Sequence, residues 1–417
     1  MPDRVLIGEL KTRLAAKRLA ARDLLKRFVA IPSVSGSEGE MQRALHALFS
    51  RLDGQSSLVP MPESLRSDPK FASGVDAPFA ERPQTRFRWQ GASGGRSLIA
   101  CAHADVVKGG DWENAFVPQI DGDRLIGRGA VDDKGMIVAL FLAVETLQEM
   151  GKRLDGDLEC HFTNEEEVGM AGALAFVREG FRADGVLVCE PTDHNIYIAH
   201  RGSLQFSIRV VGKQAHLGRK RDGVNAIEKA AKVVEALVKY EDRLIEEGRG
   251  YPLFESYEYP GQVNVGIIKG GDFFSIVPDL VTMEGGVGFL PNRAMTQVQT
   301  EIRELIAAID DAWIKDHVTV GFAGMKNDPY EMPQGHPFTE MLINTLKQFG
   351  RTPEVLGMMA TCDARYYYNQ GGMASIVFGG MNNGQAHAKY EYAELSDILD
   401  TAAEYALFFL EWCGSAS

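Results

Sequence analysis

The hydrophobic and polar positions of this chain follow more than one period. Residues 5–28 carry apolar side chains at the spacing of an amphipathic helix, and a second such helix follows the Ser- and Gly-rich segment IPSVSGSEGE. Farther along, the short apolar runs SLIACA, LECHFT and GVLVCE alternate with longer helical patterns. This alternation predicts an open α/β sheet in which most strands are parallel.

A different order of elements begins near Gly202. The strand patterns SLQFSIRVV, QVNVGIIKGG, LVTMEGGVGF and HVTVGFAG surround helical patterns at residues 225–244 and 293–309. The order β-α-β-β-α-β is that of a ferredoxin-like domain. We therefore predict a mostly parallel α/β domain formed by residues 1–201 and 327–417, with an inserted α+β ferredoxin-like domain at residues 202–326.

The stretch 60–83 is rich in Pro, Ser and Asp and has no clear period. This composition predicts a long surface loop or flap. The sequence assigns this segment no function.

Composition narrows the function. The chain has 417 residues, 45% of them apolar, which is enough for two domains with a sizeable core. A formal net charge of −13 disfavours nucleic acid as a partner, because binding to a phosphate backbone needs basic patches. Charged residues interrupt every apolar run near the amino terminus, so we expect neither a signal peptide nor a membrane span. A cytoplasmic protein that acts on a small molecule is the resulting expectation.

The five cysteines form no CxxC pair, and an odd number of them in a chain this long predicts free buried thiols. Any metal site must then use His, Asp and Glu. This ligand set suits zinc, manganese or cobalt better than a sulfur-rich structural zinc site.

Histidines and acidic residues gather where predicted strands end or helices begin. Ligands of open α/β sheets bind at the carboxyl ends of strands, so these clusters are expected to converge. The first three clusters also have simpler interpretations: a capped histidine, helix-capping aspartates and a solvated run of glutamates, respectively. The clusters are His103 with Asp105, Asp132 with Asp133, Glu165 to Glu167, Glu190 and His387.

Ordered motifs then indicate a family. HADVV, GRGAVDDKG, NEEEVG, CEPT, NVGxIxGGxxxxxVPD, CDAR and a late GxAH follow one another along the chain. In this order they resemble the co-catalytic metallopeptidase family of acetylornithine deacetylase, succinyl-diaminopimelate desuccinylase, aminoacylase and the glutamate carboxypeptidases. The resemblance implies a hydrolase with two divalent metal ions, zinc or else manganese or cobalt, and an inserted domain that acts as a lid and forms a homodimer.

The resemblance also implies roles for individual residues. One metal ion would bind His103, Asp132 and Glu190, and the other Asp132, Glu167 and His387, so Asp132 would bridge them. Asp105 would orient His103, and Glu166 would act as general base toward a water shared by the metals. A cis peptide bond would join Asp132 to Asp133. His216 of the partner lid would stabilise the oxyanion, which would make the dimer the catalytic unit.

Residues expected to recognise the substrate depart from the family pattern. Where relatives carry an Asp-x-Arg pair after VPD, this chain has Gly286 and Gly288, so the arginine that contacts a substrate carboxylate is missing. Arg365 and Asn264 are the remaining candidates for binding a carboxylate. A structural salt bridge between Arg365 and Asp363 is an equally good interpretation.

The predicted function is hydrolysis of an amide-type carbon–nitrogen bond, with deacylation of an N-acyl amino acid or related N-acyl amine as the leading hypothesis. A dipeptidase or carboxypeptidase is the first alternative. The missing arginine and the run YYY favour another, the hydrolysis of a formamide or an aromatic amine. A catalytically inactive binding relative is the last alternative, which the complete set of expected ligands disfavours.

Overall fold

The structure, a computed structural model, describes residues 4–92 and 94–415. The chain divides into two compact units. Residues 199–331 and 357–361 form the second unit, and the remaining segments, up to Ile198, 332–356 and from Cys362 onward, form the first. The sequence placed the two boundaries at 201/202 and 326/327, and it did not foresee that residues 357–361 join the inserted unit.

The first unit contains eight helices and eleven strands among its described residues. Its helices are α1 (Arg4–Ala16), α2 (Arg18–Val29), α3 (Gly39–Phe49), α4 (Lys134–Glu149), α5 (Ala171–Arg178), α9 (Pro337–Gln348), α10 (Ala364–Asn369) and α11 (Leu395–Cys413). Its strands, of which β8 and β17 run across the boundary, are β1 (Gln55–Val59), β2 (Gln84–Trp89), β3 (Leu98–His103), β4 (Gln119–Asp121), β5 (Arg124–Ile126), β6 (Leu158–Thr163), β7 (Gly185–Val188), β8 (Ile196–His200), β17 (Val355–Met358), β18 (Ala374–Val377) and β19 (Tyr392–Glu394).

The central sheet of the first unit has the strand order β1-β2-β6-β3-β7-β18-β8. The four inner strands β6, β3, β7 and β18 are parallel neighbours, and the flanking pairs are antiparallel. All six residues of β3 are buried, as expected for a strand covered on both faces. This mixed sheet confirms the predicted α/β class.

Helices α4 and α11 are the two longest helices of the first unit, and most of their residues are buried. Both are apolar over most of their length, so each buries far more than one face. Residues 5–28, predicted as one helix, form two, because the chain bends at Lys17, whose amine binds Glu145 and Glu149 of α4. No helix in the described part of the chain is long and apolar enough to cross a membrane. All five cysteines are free and buried, as predicted.

The segment 60–83 differs from the predicted surface loop. It contains one short 3₁₀ turn, Glu63–Ser67, and several of its side chains are almost fully buried. Met61, Leu65, Phe79 and Arg82 are each less than 5% exposed. The polar composition suggested exposure, but these few residues anchor the segment to the first unit.

The second unit has the predicted β-α-β-β-α-β order, with short additional elements. Its helices are α6 (Ala226–Gly248), α7 (Met295–Ala307) and α8 (Ala312–His317). Its strands are β9 (Gly202–Val211), β10 (Ala215–His216), β11 (Gln262–Gly270), β12 (Ile276–Val277), β13 (Leu280–Phe289), β14 (Val318–Gly321), β15 (Lys326–Asn327) and β16 (Tyr330–Glu331). The antiparallel order β11-β13-β9-β14 is that of a ferredoxin-like sheet, and apolar side chains of α6 and α7 pack against it.

Candidate metal centre

The predicted metal ligands lie at one edge of the central sheet. β3 ends at His103, and β7 ends two residues before Glu190. His387 follows β18 after a longer loop, and Asp132 directly precedes the N-cap residue of α4. Because the inner strands are parallel neighbours, their carboxyl ends meet at the same edge. The fold thus brings together residues that are far apart in the sequence.

Asp132 lies between two imidazole rings. Its Oδ1 is 2.8 Å from Nε2 of His103, and its Oδ2 is 3.2 Å from Nε2 of His387. The same nitrogen of His387 is 2.8 Å from Oε2 of Glu167. Each oxygen of one carboxylate therefore faces a different histidine, which is how a carboxylate that bridges two cations must be presented.

Glu166 and Glu190 lie on the His103 side of the cluster. Ligand atoms of His103, Glu166 and Glu190 are all within 4.8 Å of one another, and the same is true of His103, Asp132 and Glu167. Each residue of the first group is less than 10% exposed. The site therefore offers two overlapping sets of imidazole and carboxylate donors.

The cluster holds more carboxylates than its imidazoles can balance. Burial and the charge of Glu190 raise the pKa of Glu166 well above its ordinary value, and burial and the charge of Asp132 raise that of Glu167. Hydrogen bonds to Asp132 and Glu167 raise the pKa of His387 to about 10. Within the described chain, Oε1 of Glu167 is buried without a hydrogen-bond partner. Such buried acidic groups are costly unless a cation neutralises them, so the residues fit divalent metal ions.

Asp105 supports both the histidine and the following turn. Nδ1 of His103 is 3.0 Å from the main-chain oxygen of Asp105 and 3.5 Å from its Oδ1. The Asp105 carboxylate accepts the main-chain N–H groups of Glu166 at 3.0 Å and Glu167 at 3.2 Å, and the Ser35 hydroxyl donates to it at 2.7 Å. The main chain of Asp105 thus makes the closer contact with the imidazole, while its side chain holds the glutamate turn.

The simpler interpretations of two clusters fail. Asp133 is the N-cap residue of α4, but its carboxylate does not cap the helix and instead accepts the main-chain N–H of His103 at 2.9 Å. The peptide bond from Asp132 to Asp133 is cis, as the motif implied. Glu165 and Glu166 are 0% and 7% exposed, so this run of glutamates is not a solvated face.

Glu391 is a site residue that the sequence did not indicate. Its buried carboxylate accepts three main-chain N–H groups, from Gly129 at 3.0 Å, Val131 at 2.9 Å and Asp132 at 3.2 Å. Nη1 of Arg128 donates to it at 2.7 Å. Glu391 therefore fixes the loop that presents Asp132. Its own neighbours in the sequence, YEYAEL, do not distinguish it from a surface acid.

Arg365 is enclosed in the first unit, with an exposed fraction of 1%. Its Nε lies 3.1 Å from Sδ of Met170, and its Nη2 donates to the main-chain oxygen of Gly169 at 3.2 Å. Asp363, the alternative partner, accepts a hydrogen bond from the hydroxyl of Thr163 at 2.6 Å. Binding of a substrate carboxylate by Arg365 stays a prediction.

Asn264 and His216 are exposed residues of the second unit. Asn264 lies on β11 opposite Gly286 of β13. Nδ1 of His216 accepts the main-chain N–H of Gly218 at 3.1 Å. Their proposed contacts with substrate and oxyanion also stay predictions.

The position of the missing arginine, Gly288, faces another arginine. A Cβ atom at Gly288 would lie 2.6 Å from Nη1 of Arg201. Nη1 of Arg201 donates to Oε1 of Gln262 at 2.8 Å. Gln262 is the residue of β11 that pairs with Gly288 of β13. Burial lowers the pKa of Arg201. The glycine makes room for a guanidinium group that the sequence did not single out.

Known proteins are similar to this chain in sequence and in architecture. The family described as "Peptidase family M20/M25/M40" matches residues 99–411. The N-formyl-4-amino-5-aminomethyl-2-methylpyrimidine deformylase of Bacillus subtilis (strain 168) is 27% identical over 344 residues, which cover 76% of this chain and 79% of the relative. The succinyl-diaminopimelate desuccinylase of Beijerinckia indica subsp. indica is 26% identical over 396 residues, which cover 91% of this chain and 95% of the relative.

Solved structures show the same fold. A protein from Bacillus subtilis described as a dinuclear metal-binding peptidase from family M20 aligns with a TM-score of 0.67 at 12% identity. The alignment covers 95% of this chain and 98% of that protein. At this level of identity the likeness speaks for the architecture alone.

Proposed function

Because this chain belongs to peptidase family M20/M25/M40, we propose that it is a metal-dependent deacylase of an N-acyl amino acid or a related N-acyl amine. The family resemblance deduced from the motifs is confirmed. Members of this family hydrolyse carbon–nitrogen bonds, and so does this chain. The proposal concerns the class of substrate and the residues that perform the reaction.

One observation supports the proposal best, the position of Asp132 between His103 and His387. Both oxygens of this carboxylate are directed at imidazole nitrogens, one at 2.8 Å and the other at 3.2 Å. It is the geometry that a dinuclear hydrolase needs. In this proposal the neighbouring acids Glu166 and Glu167 supply the base and a further ligand, which is consistent with their closeness to His103 and His387.

We assign one metal ion to His103, Asp132 and Glu190, and the other to Asp132, Glu167 and His387. Imidazole and carboxylate donors without sulfur suit zinc, with manganese or cobalt as alternatives. When bound, two such cations lower the pKa of water and polarise the scissile carbonyl.

Glu166 is the general base in this proposal. Its carboxylate is within 4.8 Å of donor atoms of His103 and Glu190, but the assignment leaves it out of both ligand sets, and it is 7% exposed. It accepts a proton from the attacking water and delivers it to the departing nitrogen. Asp105 keeps Glu166 in position by accepting its main-chain N–H. The adjacent Glu167 binds metal, so two consecutive glutamates divide the work.

We propose that the second unit forms a homodimer and that His216 of the partner subunit donates to the tetrahedral oxyanion. β11 is an edge strand of its sheet, and an edge invites pairing with a second chain. Ile268 on this strand is 56% exposed and Phe274 in the next loop is 84% exposed. Sedimentation of wild type and Ile268→Lys measures this association. A monomeric wild type would contradict it.

The substrate class follows from what the site lacks as well as from what it holds. Arg365 and Asn264 are the proposed contacts for a substrate carboxylate. Gly288 occupies the position at which members of the family named above carry the arginine of the Asp-x-Arg pair. The absence of this arginine disfavours a substrate with the α-carboxylate of a standard amino acid. A related deformylase acts on an N-formyl aminopyrimidine, as its name states. A formamide of an amine without an α-carboxylate is therefore the second candidate substrate, and a dipeptide the third.

The test is turnover of a substrate panel by zinc-loaded protein. N-acetyl and N-succinyl amino acids represent the leading proposal, N-formyl aromatic amines the second and dipeptides the third. We expect release of free amine from the first group. Turnover confined to N-formyl amines would shift the assignment to a deformylase, and no turnover of any N-acyl compound would refute deacylation.

Glu166→Gln is the companion variant, because it removes the base and keeps the side-chain shape. We expect kcat to fall by about 10²–10⁴-fold or more while the metal content stays at the wild-type value. Glu40→Gln is the matched control, since this glutamate lies on the exposed side of α3. Unchanged kcat in Glu166→Gln at full metal content would remove Glu166 from the mechanism.

A further inference from the structure

The segment 60–83 is built around two arginines. Arg66 donates to the main-chain oxygens of Val75 at 2.7 Å and Ala77 at 2.6 Å. Arg82 also donates to the oxygen of Ala77, at 2.7 Å, and to that of Pro78, at 3.1 Å. Both arginines thus hold the same stretch of backbone. They differ in what else they touch.

Arg82 alone of these two arginines reaches buried carboxylates. Its Nη1 is 2.9 Å from Oε2 of Glu38 and 2.7 Å from Oε1 of Glu165. The side chains of Glu38 and Glu165 are 0% exposed, and that of Arg82 is 4% exposed. Removal of one member of a buried ion pair strongly destabilises the folded protein, because the other charge stays buried without a partner.

The main chain of Arg82 is also in contact with the glutamate turn. Its oxygen accepts the side-chain amide of Asn164, the residue before Glu165, at 2.7 Å. Glu165 has a φ angle of 59°, in the left-handed region that residues other than glycine adopt rarely. Arg82 therefore holds two consecutive residues, and the second of them has an unfavourable conformation. Glu166 and Glu167 follow directly.

The backbone of the segment 60–83 packs closely against Gly169, at the far end of the same turn. A Cβ atom at Gly169 would lie 2.7 Å from main-chain atoms of Ala72 and Ser73, and Gly169 has φ of 145°. The main-chain oxygen of Lys70 accepts a hydrogen bond from the Tyr366 hydroxyl. The turn from Glu165 to Gly169 thus lies between Asp105 on one side and the segment 60–83 on the other.

We propose that Arg82 is a positioning residue of the reaction: by pairing with Glu165, it holds the turn so that Glu166 and Glu167 keep their places as base and metal ligand. The segment 60–83 is the brace that carries Arg82. This inference rests on the proposed function, because it assigns Arg82 a task in the same site. Arg82 contacts neither of the two glutamates that it positions.

The principal variant is Arg82→Met, which keeps an unbranched apolar side chain at this position and removes the guanidinium. We expect the affinity for zinc, measured by competition with a chelator, to fall about 10-fold, the lower end of the range for loss of a group that hydrogen-bonds a metal ligand, because Arg82 acts one residue farther away. Zinc affinity needs no substrate, so this readout stands even if the proposed substrates are not turned over. With an active substrate, kcat should fall by a similar factor and KM by less than about twofold.

Arg66→Met is the matched control. It removes an arginine from the same segment, with hydrogen bonds to the same backbone, but Arg66 does not touch Glu165. If Arg82 acts only by keeping the segment folded, the two variants will lose zinc affinity equally. We expect Arg66→Met to keep an affinity within about twofold of wild type, because its effect stops at the loop.

Two further variants guard against misfolding of Arg82→Met. Glu165→Gln removes the charge that Arg82 holds and should lower zinc affinity and kcat in the same direction. Arg82→Lys keeps a cation beside Glu165 but cannot hold Glu38 and the backbone at once, so it should recover part of the loss. Recovery by lysine separates positioning from simple packing.

The proposal fails if Arg82→Met and Glu165→Gln, both folded by circular dichroism, bind zinc as tightly as Arg66→Met. It also fails if lysine at position 82 is no better than methionine. The proposed function fails in a different way, by the absence of turnover in the wild-type protein, whatever the zinc affinities are.

Discussion

Replacement of Glu391 by glutamine tests whether one distant carboxylate supports the metal-binding loop. The carboxylate accepts hydrogen bonds from Arg128, Gly129, Val131 and Asp132. An amide of the same shape has one acceptor oxygen, which can serve about two of these donors. Two buried N–H groups then face an NH₂ group, at a cost of about 1–3 kcal/mol each. The expected loss in free energy of unfolding is therefore about 2–6 kcal/mol, a large part of the stability of a typical domain.

The assay is urea unfolding of wild type and Glu391→Gln in the presence of a chelator, so that metal binding does not contribute. Glu394→Gln is the control, because Glu394 is 37% exposed and forms an open ion pair with Arg124 at 3.2 Å. Exposed pairs contribute about 0–1 kcal/mol, so this variant should unfold almost like wild type. Equal losses in the two variants would refute the argument from buried hydrogen bonds.

Three further predictions concern stability and the metal. Gly8→Ala in α1 should raise the free energy of unfolding by about 0.5–1 kcal/mol, because alanine favours the helix and a Cβ atom there meets nothing within 4 Å. Gly172→Ala should lower the free energy of unfolding, because its methyl group would lie 2.2 Å from the side-chain oxygen of Gln84. Thermal melting measures both effects, and a Gly172→Ala variant more stable than wild type would contradict this packing. Burial alone would raise the pKa of Glu159, but the hydrogen bond from Arg86 helps to lower this pKa from 4.5 to about 2. The stability that the Glu159 carboxylate provides is therefore complete above pH 4.5 and is lost as the pH falls toward 2. The difference in free energy of unfolding between wild type and Glu159→Gln should shrink across that range. Dialysis against a chelator should abolish turnover and lower the melting temperature, and zinc should restore both, while turnover that survives metal removal would exclude a metal-dependent reaction.

The sequence predicted those parts of the site that are local in the chain. His103, Glu166 and Glu190 each follow an apolar strand pattern within a few residues, and parallel strands bring their carboxyl ends together. Motif order added the metal assignments. The α/β class and the family followed from the same features and are confirmed.

Residues that act across long separations were not predictable. Glu391 lies 262 residues from Gly129, and its only local sign is one more acid in an acidic stretch. Arg82 stands in a polar segment that suggested exposure, yet it is 3% exposed. Arg365 is 1% exposed, and its contacts with Met170 and Gly169 come from a segment about 195 residues away. In each case tertiary contacts decide what the residue does, and no short pattern records them.

The closeness of Gly288 and Arg201 couples the two positions. A side chain introduced at 288 meets a guanidinium group before it meets open space, so its effect depends on which residue occupies 201. Single substitutions at either position then report the conflict and not the preference for substrate. A library built to change specificity should therefore vary both positions at once.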